Sequence, residues 1–110
     1  MIDIRFSPDR NELKIRGHAE YAEKGKDIVC AAVSFAFHNL CGMLLEYPDE
    51  AYKTKPIMKK GGEGGVTSVR CRPSASYEEA INHDFFYCLV GLEQIAANYP
   101  DHVKLTVTSH

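Results

Sequence analysis

Residues 28–45 read IVCAAVSFAFHNLCGMLL, an eighteen-residue stretch that contains no Asp, Glu, Lys or Arg. Asp27 precedes it and is a residue type common at helix N-caps, whereas Glu46 and Pro48 follow it where a helix would end. The stretch therefore predicts a helix that is apolar nearly all round. Such a helix needs cover on several sides, which a sheet and either a second helix or a second copy of the chain would supply.

The same length and composition also suit a membrane span. Three polar residues, Ser34, His38 and Asn39, nevertheless lie inside the stretch, and a pattern typical of a water-soluble hairpin precedes it. Polar side chains are costly inside a bilayer. We therefore expect a core helix and no membrane partner.

Alternating apolar and charged residues before the helix predict a β-hairpin. The alternation runs through residues 2–6 and resumes at residues 13–15, and the turn-forming residues 7–11 separate the two runs. The N-terminal segment lacks the basic start and unbroken apolar stretch of a secretory signal. We therefore expect a cytoplasmic protein whose four cysteines remain thiols.

A second hairpin is predicted after the helix. Residues 51–60 and 66–72 flank the glycine-rich run Gly-Gly-Glu-Gly-Gly at 61–65. A phosphate-binding Walker loop ends in Gly-Lys-Ser/Thr and opens a helix. Here residues 66–69, Val-Thr-Ser-Val, continue with strand character, so a structural turn is favoured.

The clearest periodic signal predicts a long second helix that Pro100 stops. Residues 76–79, Ser-Tyr-Glu-Glu, are interpreted as its capping box, and residues 103–107 alternate as a final strand. The apolar residues that recur on one face of this helix are Tyr77, Ile81, Phe85, Cys88, Leu92, Ile95 and Tyr99.

These elements give the order ββαββαβ within 110 residues, a length suited to one domain. We predict a two-layer α/β sandwich in which two helices pack on one mixed or antiparallel sheet, over a single domain at 1–110. The formal net charge of −2 supplies no obvious electrostatic footprint for a phosphate backbone, so we expect no direct contact with nucleic acid.

Cys30 is the residue that best fits a chemical role. If Asp27 caps the helix, Cys30 is the third helical residue, where backbone N–H groups and the positive dipole end favour a thiolate and can hold an oxyanion. His18 follows Gly17 at the exit of the second predicted strand, and the charged loop 19–26 is long enough to bring it to the sulfur. A buried packing role for the cysteine and a solvated position for the histidine are the alternatives.

Two neighbours of Cys30 have open roles. Asp27 either caps the helix or orients His18, and Ser34, one turn after Cys30, bonds near the reacting centre or back to the helix. Neither the other cysteines, Cys41, Cys71 and Cys88, nor the other histidines show metal-ligand spacing, so the cysteines are interpreted as packing residues. We expect no metal and no cofactor.

Residues 17–19, Gly-His-Ala, and residues 25–34, Gly-Lys-Asp-Ile-Val-Cys-Ala-Ala-Val-Ser, closely resemble the motifs of the ribosomal-processing cysteine protease family, Prp. The resemblance implies that His18 and Cys30 form a catalytic pair. It gives Asp27 and Ser34 supporting roles and places the glycines of both motifs, Gly17 and Gly25, beside the site.

The resemblance also implies a substrate and an assembly state. Family members look like homodimers that remove the N-terminal extension of large-subunit ribosomal protein twenty-seven, cutting after Phe-Phe and before Ala. We therefore expect a cysteine endopeptidase acting on that N-terminal peptide, with loop 19–26 closing over it. The rival interpretations are a non-catalytic ribosome-assembly factor that binds the same peptide and a thiol-based redox protein, which the lack of a CxxC pair disfavours.

Overall fold

The computed structural model describes residues 1–23, 27–62 and 65–108. Within these residues the chain forms strands and helices in the order ββαββαβ, as predicted. The strands are β1 (Ile2–Ser7), β2 (Glu12–Gly17), β3 (Tyr52–Lys59), β4 (Val66–Pro73) and β5 (Val103–Val107), and the helices are α1 (Ile28–Leu45) and α2 (Glu78–Asn98).

The strands form one mixed sheet in the order β3-β4-β2-β1-β5. The β1–β2, β2–β4 and β3–β4 pairs are antiparallel, and β5 pairs with β1 in parallel. Each helix connects two strands that run in the same direction, β2 to β3 through α1 and β4 to β5 through α2. Strands with the same direction need such a crossover connection. The two-layer α/β architecture is therefore confirmed.

The core lies between the sheet and the helices. Alternation in β1 turns Ile2, Ile4 and Phe6 toward the helices, and all are buried. The Phe6 ring stacks on Phe85 of α2 with centroids 5.9 Å apart. Each such fully buried apolar side chain contributes about 1.5–3 kcal/mol, so this layer holds α1 and α2 against the sheet.

The helix α1 is long and apolar enough to cross a membrane by length and composition. One of its faces is nevertheless buried against the sheet and α2, through residues that include Val33, Leu40 and Leu44. Its opposite face exposes Phe35 at 71% and Leu45 at 65%. The charge-free sequence thus reflects a core helix with part of its apolar surface left uncovered.

The start of α2 differs from the sequence prediction. Tyr77 is the N-cap and makes no side-chain capping bond, because Ser76 lies inside a 3-10 turn at Ala75–Tyr77 that shifts the helix start by one residue. The predicted capping box at residues 76–79 is therefore wrong. Glu78 and Glu79 still lie in the first turn, where negative charge favours the helix dipole.

The buried face of α2 follows the predicted period. Ile81, Phe85, Cys88 and Leu92 are buried, whereas Tyr77, Ile95 and Tyr99 are only half-buried and pack against the edge of the core.

Candidate active site

Asp27 caps α1 with its carboxylate. The backbone N–H groups of Val29 and Cys30 both donate to its Oδ1 at 3.0 Å, and the N–H of Tyr21 donates to its Oδ2 at 3.1 Å. These bonds hold the pKa of the Asp27 carboxyl below its usual value, and the bond from the Cys30 N–H has the largest effect. Both carboxylate oxygens thus accept backbone bonds, and among the described residues neither bonds to His18. The geometry favours the capping role.

Cys30 lies half-buried in the first turn of α1, and its Sγ accepts a hydrogen bond from the backbone N–H of Ala19 at 3.4 Å. Burial raises the pKa of the thiol above its ordinary value, and the neighbouring Asp27 carboxylate raises it further. The Ala19 N–H acts in the opposite direction. The thiol is thus the form favoured at neutral pH, which differs from the sequence expectation of a resting thiolate.

The Asp27 cap also determines where the backbone N–H groups at the start of α1 donate. Those of Val29 and Cys30 donate to the Asp27 carboxylate, and that of Ala31 donates to the Asp27 carbonyl at 3.1 Å. The cap therefore uses the donors that we expected to hold an oxyanion. Among the described residues, the backbone donor aimed at the sulfur belongs to Ala19 instead.

Gly17 ends β2 in a conformation that requires glycine. Its φ is +93°, and a Cβ added there would lie 2.3 Å from the Met1 carbonyl oxygen. The close approach of the two strand ends at this point directs the chain into His18. The structure thus gives a physical reason for a glycine directly before the histidine.

His18 and Cys30 line the same open cavity of about 360 Å³ between α1 and the end of the sheet. Among the described residues, no hydrogen bond joins the His18 ring to the sulfur. The cavity is mostly apolar and has lysines at its rim. Its walls are formed by Ile2, Ile15, Gly17, His18, Cys30, Val33, Ser34, Phe37, His38, Cys41, Met58, Lys59, Lys60 and Thr67.

Ser34 and His38 form a polar pair on the α1 wall of this cavity. The Ser34 hydroxyl lies 3.3 Å from His38 Nδ1, which also lies 2.8 Å from the Ser34 carbonyl oxygen. We did not predict a site role for His38, although Cys30, Ser34 and His38 recur every four residues on one helix face. That spacing was the available signal.

The segment after His18 is anchored by the turn between α2 and β5. His102 Nδ1 lies 2.7 Å from the Ala19 carbonyl oxygen, and Ala19 itself is buried. The Tyr21 ring meets His102 and Tyr99 edge to face, with centroids 5.3 and 5.5 Å apart. His102 therefore holds the carbonyl of Ala19, the residue whose N–H donates to the sulfur, and no local sequence pattern indicated this contact.

The sequence predicted that Gly25 belongs to the site motif and that loop 19–26 closes over the peptide. Gly25 lies outside the described residues, as do the other positions from 24 to 26, so the predicted closing of loop 19–26 stays a prediction.

The packing role expected of the other cysteines is consistent with their burial. Cys41, Cys71 and Cys88 are all buried free thiols. Burial raises the pKa of Cys71 and of Cys88 to about 11. Cys30 is therefore the most accessible thiol of the chain.

Comparison with known proteins identifies relatives over the whole domain. The family model described as cysteine protease Prp matches residues 1–104. The ribosomal processing cysteine protease Prp of Mycoplasma genitalium is 32% identical over 110 residues, which cover 97% of this chain and 98% of that protein.

Solved structures share the fold. The crystal structure of the ribosomal processing protease Prp from S. aureus, in complex with a covalently linked product peptide, has a TM-score of 0.80 at 20% identity and covers 98% of this chain and 100% of its own. The Streptococcus mutans protein SMU.848 has a TM-score of 0.70 at 25% identity, covering 99% and 93%. On the family match and the Mycoplasma relative, the chain belongs to the cysteine protease Prp family.

Proposed function

We propose that this protein is a cysteine endopeptidase in which Cys30 is the nucleophile and His18 transfers the proton. The observation that carries the proposal is that both side chains line one open cavity, with a backbone N–H aimed at the sulfur. Membership of a cysteine protease family supports the same assignment. Asp27 and Ser34 are positioning residues, the first by fixing the helix start and the second by holding His38.

The reaction begins from a thiol because burial and Asp27 raise the pKa of Cys30. His18 accepts the thiol proton, the sulfur attacks the scissile carbonyl, and the resulting imidazolium donates the proton to the leaving amine. A thioester forms. His18 then deprotonates a water that attacks the thioester and regenerates the thiol. Ala19 supplies the donor that lies near the developing oxyanion.

The proposed substrate is the N-terminal extension of large-subunit ribosomal protein twenty-seven, cut after Phe-Phe and before Ala. Apolar walls that include Ile15, Val33 and Phe37 suit the burial of phenylalanine side chains. The curated relative is named as a ribosomal processing protease, and one S. aureus structure is a complex with a substrate peptide. Because this substrate is a ribosomal protein, we propose a cytoplasmic location as well.

We also propose that the chain works as a homodimer. The outer face of α2 exposes Phe86 at 56%, Tyr87 at 65% and Val90 at 38%, and these residues line one surface cavity. Contiguous apolar surface of this kind is a common mark of an interaction site.

The test is cleavage of a synthetic peptide that contains Phe-Phe-Ala, followed by mass spectrometry. Cys30→Ala and His18→Ala are expected to lower kcat by at least a thousandfold while the circular dichroism spectrum stays unchanged. Lys53→Ala changes an exposed residue away from both this cavity and the α2 surface, and this control should retain full activity. Turnover by Cys30→Ala would refute the assignment.

A non-catalytic assembly factor is the second candidate, and the raised pKa of the Cys30 thiol is the observation that favours it. In that case the wild-type chain should bind the Phe-Phe-Ala peptide without cutting it. Iodoacetamide at neutral pH should then leave Cys30 unmodified.

A further inference from the structure

The face of the sheet that points away from the helices is open and mostly basic. Arg5 of β1 lies opposite Lys14 of β2, and Arg70 of β4 lies opposite Glu12 of β2. Side chains of this face line a shallow trough of about 510 Å³. We call this surface the basic face, and its cations in the trough are Arg5, Lys14, Arg16, Lys59 and Arg70.

Two carboxylates on the basic face offset only part of its charge. Asp3 lies 3.6 Å from Arg5, and Glu12 lies 3.8 Å from Lys14. Pairs at this exposure and distance are weak in water. The trough cations that form no ion pair within the described part of the chain are Arg16, Lys59 and Arg70.

The register extends this charge beyond the trough. Lys104 of β5 lies opposite Asp3. Arg72 lies two residues after Arg70 in β4, so both lie on the same face of the sheet. The whole chain carries a formal net charge of −2, so the excess of acidic residues lies elsewhere on the molecule. The net charge is therefore the sum of the basic face and of a more acidic remainder of the molecule. For this reason the composition alone did not indicate a polyanionic partner.

We propose that the basic face binds RNA through its phosphate backbone. Arginine guanidinium groups bind phosphate oxygens in a bidentate manner, and cations on adjacent strands present several contacts to one backbone. None of the described residues that line the trough is aromatic, so they offer bases no stacking platform, and binding is independent of sequence.

Other occupants fit this face less well. A second copy of the chain would place like charges against each other. A membrane surface would also need apolar side chains for insertion, whereas Ile57 and Val66 are the two apolar residues among the described residues of the trough. The choice of RNA over DNA rests on the proposed function, because a ribosomal substrate is assembled on RNA.

Lys59 connects the basic face to the active site. It lines both the trough and the cavity that holds Cys30. An RNA bound to the basic face would therefore lie next to the cavity that holds Cys30. This arrangement suits a protease that meets its substrate protein near ribosomal RNA.

The experiment measures fluorescence anisotropy of a labelled 20-base-pair RNA duplex, using the full chain with Cys30→Ala so that no proteolysis occurs. Arg16→Gln with Arg70→Gln removes two cations from the basic face. Lys55→Gln removes a cation that lies outside the trough and pairs with Asp49, and this variant is the control. All titrations are repeated between 50 and 200 mM salt, which are concentrations over which phosphate contacts weaken strongly.

The basic-face variant is expected to bind RNA at least tenfold more weakly. The negative slope of log K against log salt should become shallower by about 2. The control should keep its affinity within about twofold, which is below the loss of one phosphate contact. Equal losses in both variants, or no RNA binding at 50 mM salt, would overturn the proposal. Equal or tighter binding of a DNA duplex or of polyglutamate would overturn the choice of RNA. Peptide cleavage is assayed separately on the wild-type chain, so either proposal can fail alone.

Discussion

Burial raises the pKa of the Cys30 thiol, and two neighbours act on the sulfur in opposite directions: the Ala19 N–H lowers the pKa and the Asp27 carboxylate raises it. Its reactivity depends on their balance, because the thiolate is the nucleophile. Asp27 stabilises the fold of the helix start through its hydrogen bonds but disfavours the thiolate through its charge. The same residue thus supports the structure and adds to the rise in the Cys30 pKa that burial causes.

Asp27→Asn should speed the alkylation of Cys30 at pH 7 by several fold. An amide oxygen can still cap α1, whereas the loss of the negative charge makes deprotonation of the thiol easier and lowers its pKa. Iodoacetamide labelling followed by intact mass measures the rate. The wild-type rate should keep rising above pH 9, since the thiol pKa lies above its ordinary value of 9.0. A slower reaction in Asp27→Asn would contradict the prediction, and Cys30→Ala gives the background.

Gly17→Ala should lower the free energy of unfolding by about 2 kcal/mol or more, because the added Cβ meets the Met1 carbonyl at a positive φ. Urea denaturation measures the change. Gly42→Ala in α1 is the control: its Cβ meets nothing within 4 Å, so it should raise stability by up to about 1 kcal/mol. Equal effects at both positions would contradict the structural role of Gly17.

At the scale of elements, the active site depends on the turn between α2 and β5 as well as on α1. His102 from this turn holds the Ala19 carbonyl, and the Ala19 N–H then points at the sulfur. The element that completes the site therefore comes from the opposite end of the chain. Parallel pairing of β5 with β1 brings it there, through the bond between the Ile2 N–H and the His102 carbonyl at 2.8 Å.

His102→Leu should shift the pH profile of Cys30 alkylation upward and slow peptide cleavage by about tenfold, which is a rise of about 1.4 kcal/mol in the activation barrier. The leucine cannot bond to the Ala19 carbonyl, so the N–H that lowers the thiol pKa is no longer held in place. His102→Gln, which retains a donor, should recover part of both effects. A purely structural role would lower stability and leave the pH profile unmoved.

Patterning determined the elements better than their ends. The charge-free stretch 28–45 coincides with α1 at both ends, because the charged residues that flank it, Asp27 and Glu46, are the caps of the helix. The start of α2 was misplaced because Ser76 joins a 3-10 turn, while the neighbouring Ser74 donates its hydroxyl to the Glu50 carbonyl at 3.0 Å. That contact links residues distant in sequence, and a local capping pattern contains no information about it.

At the scale of the whole molecule, the helix layer and the sheet layer present different outer surfaces. The helix layer exposes apolar side chains of α2, and the sheet exposes cations. The two surfaces therefore suit different partners, a second copy of the chain on the helices and a polyanion on the sheet.

Tyr87→Glu with Val90→Glu should convert a dimer into a monomer of about 12.3 kDa. Two carboxylates on the apolar α2 surface would remain charged and unpaired in an interface, which is costly. Sedimentation equilibrium gives the mass, and Glu93→Gln on the same helix is a control that should not change it. A wild-type monomer, or a variant that stays dimeric, would contradict the proposed interface.

The sequence by itself determined the order of elements, the two-layer class and the Asp27 cap of the first helix, because these depend on local periodicity and capping. The pairing of His18 with Cys30 rests on the resemblance to the Prp family. Only the tertiary structure decided that His102 adjoins the site and that basic residues share one face. These features depend on strand order and register, which bring together residues far apart in the chain and which alternation within one segment does not specify.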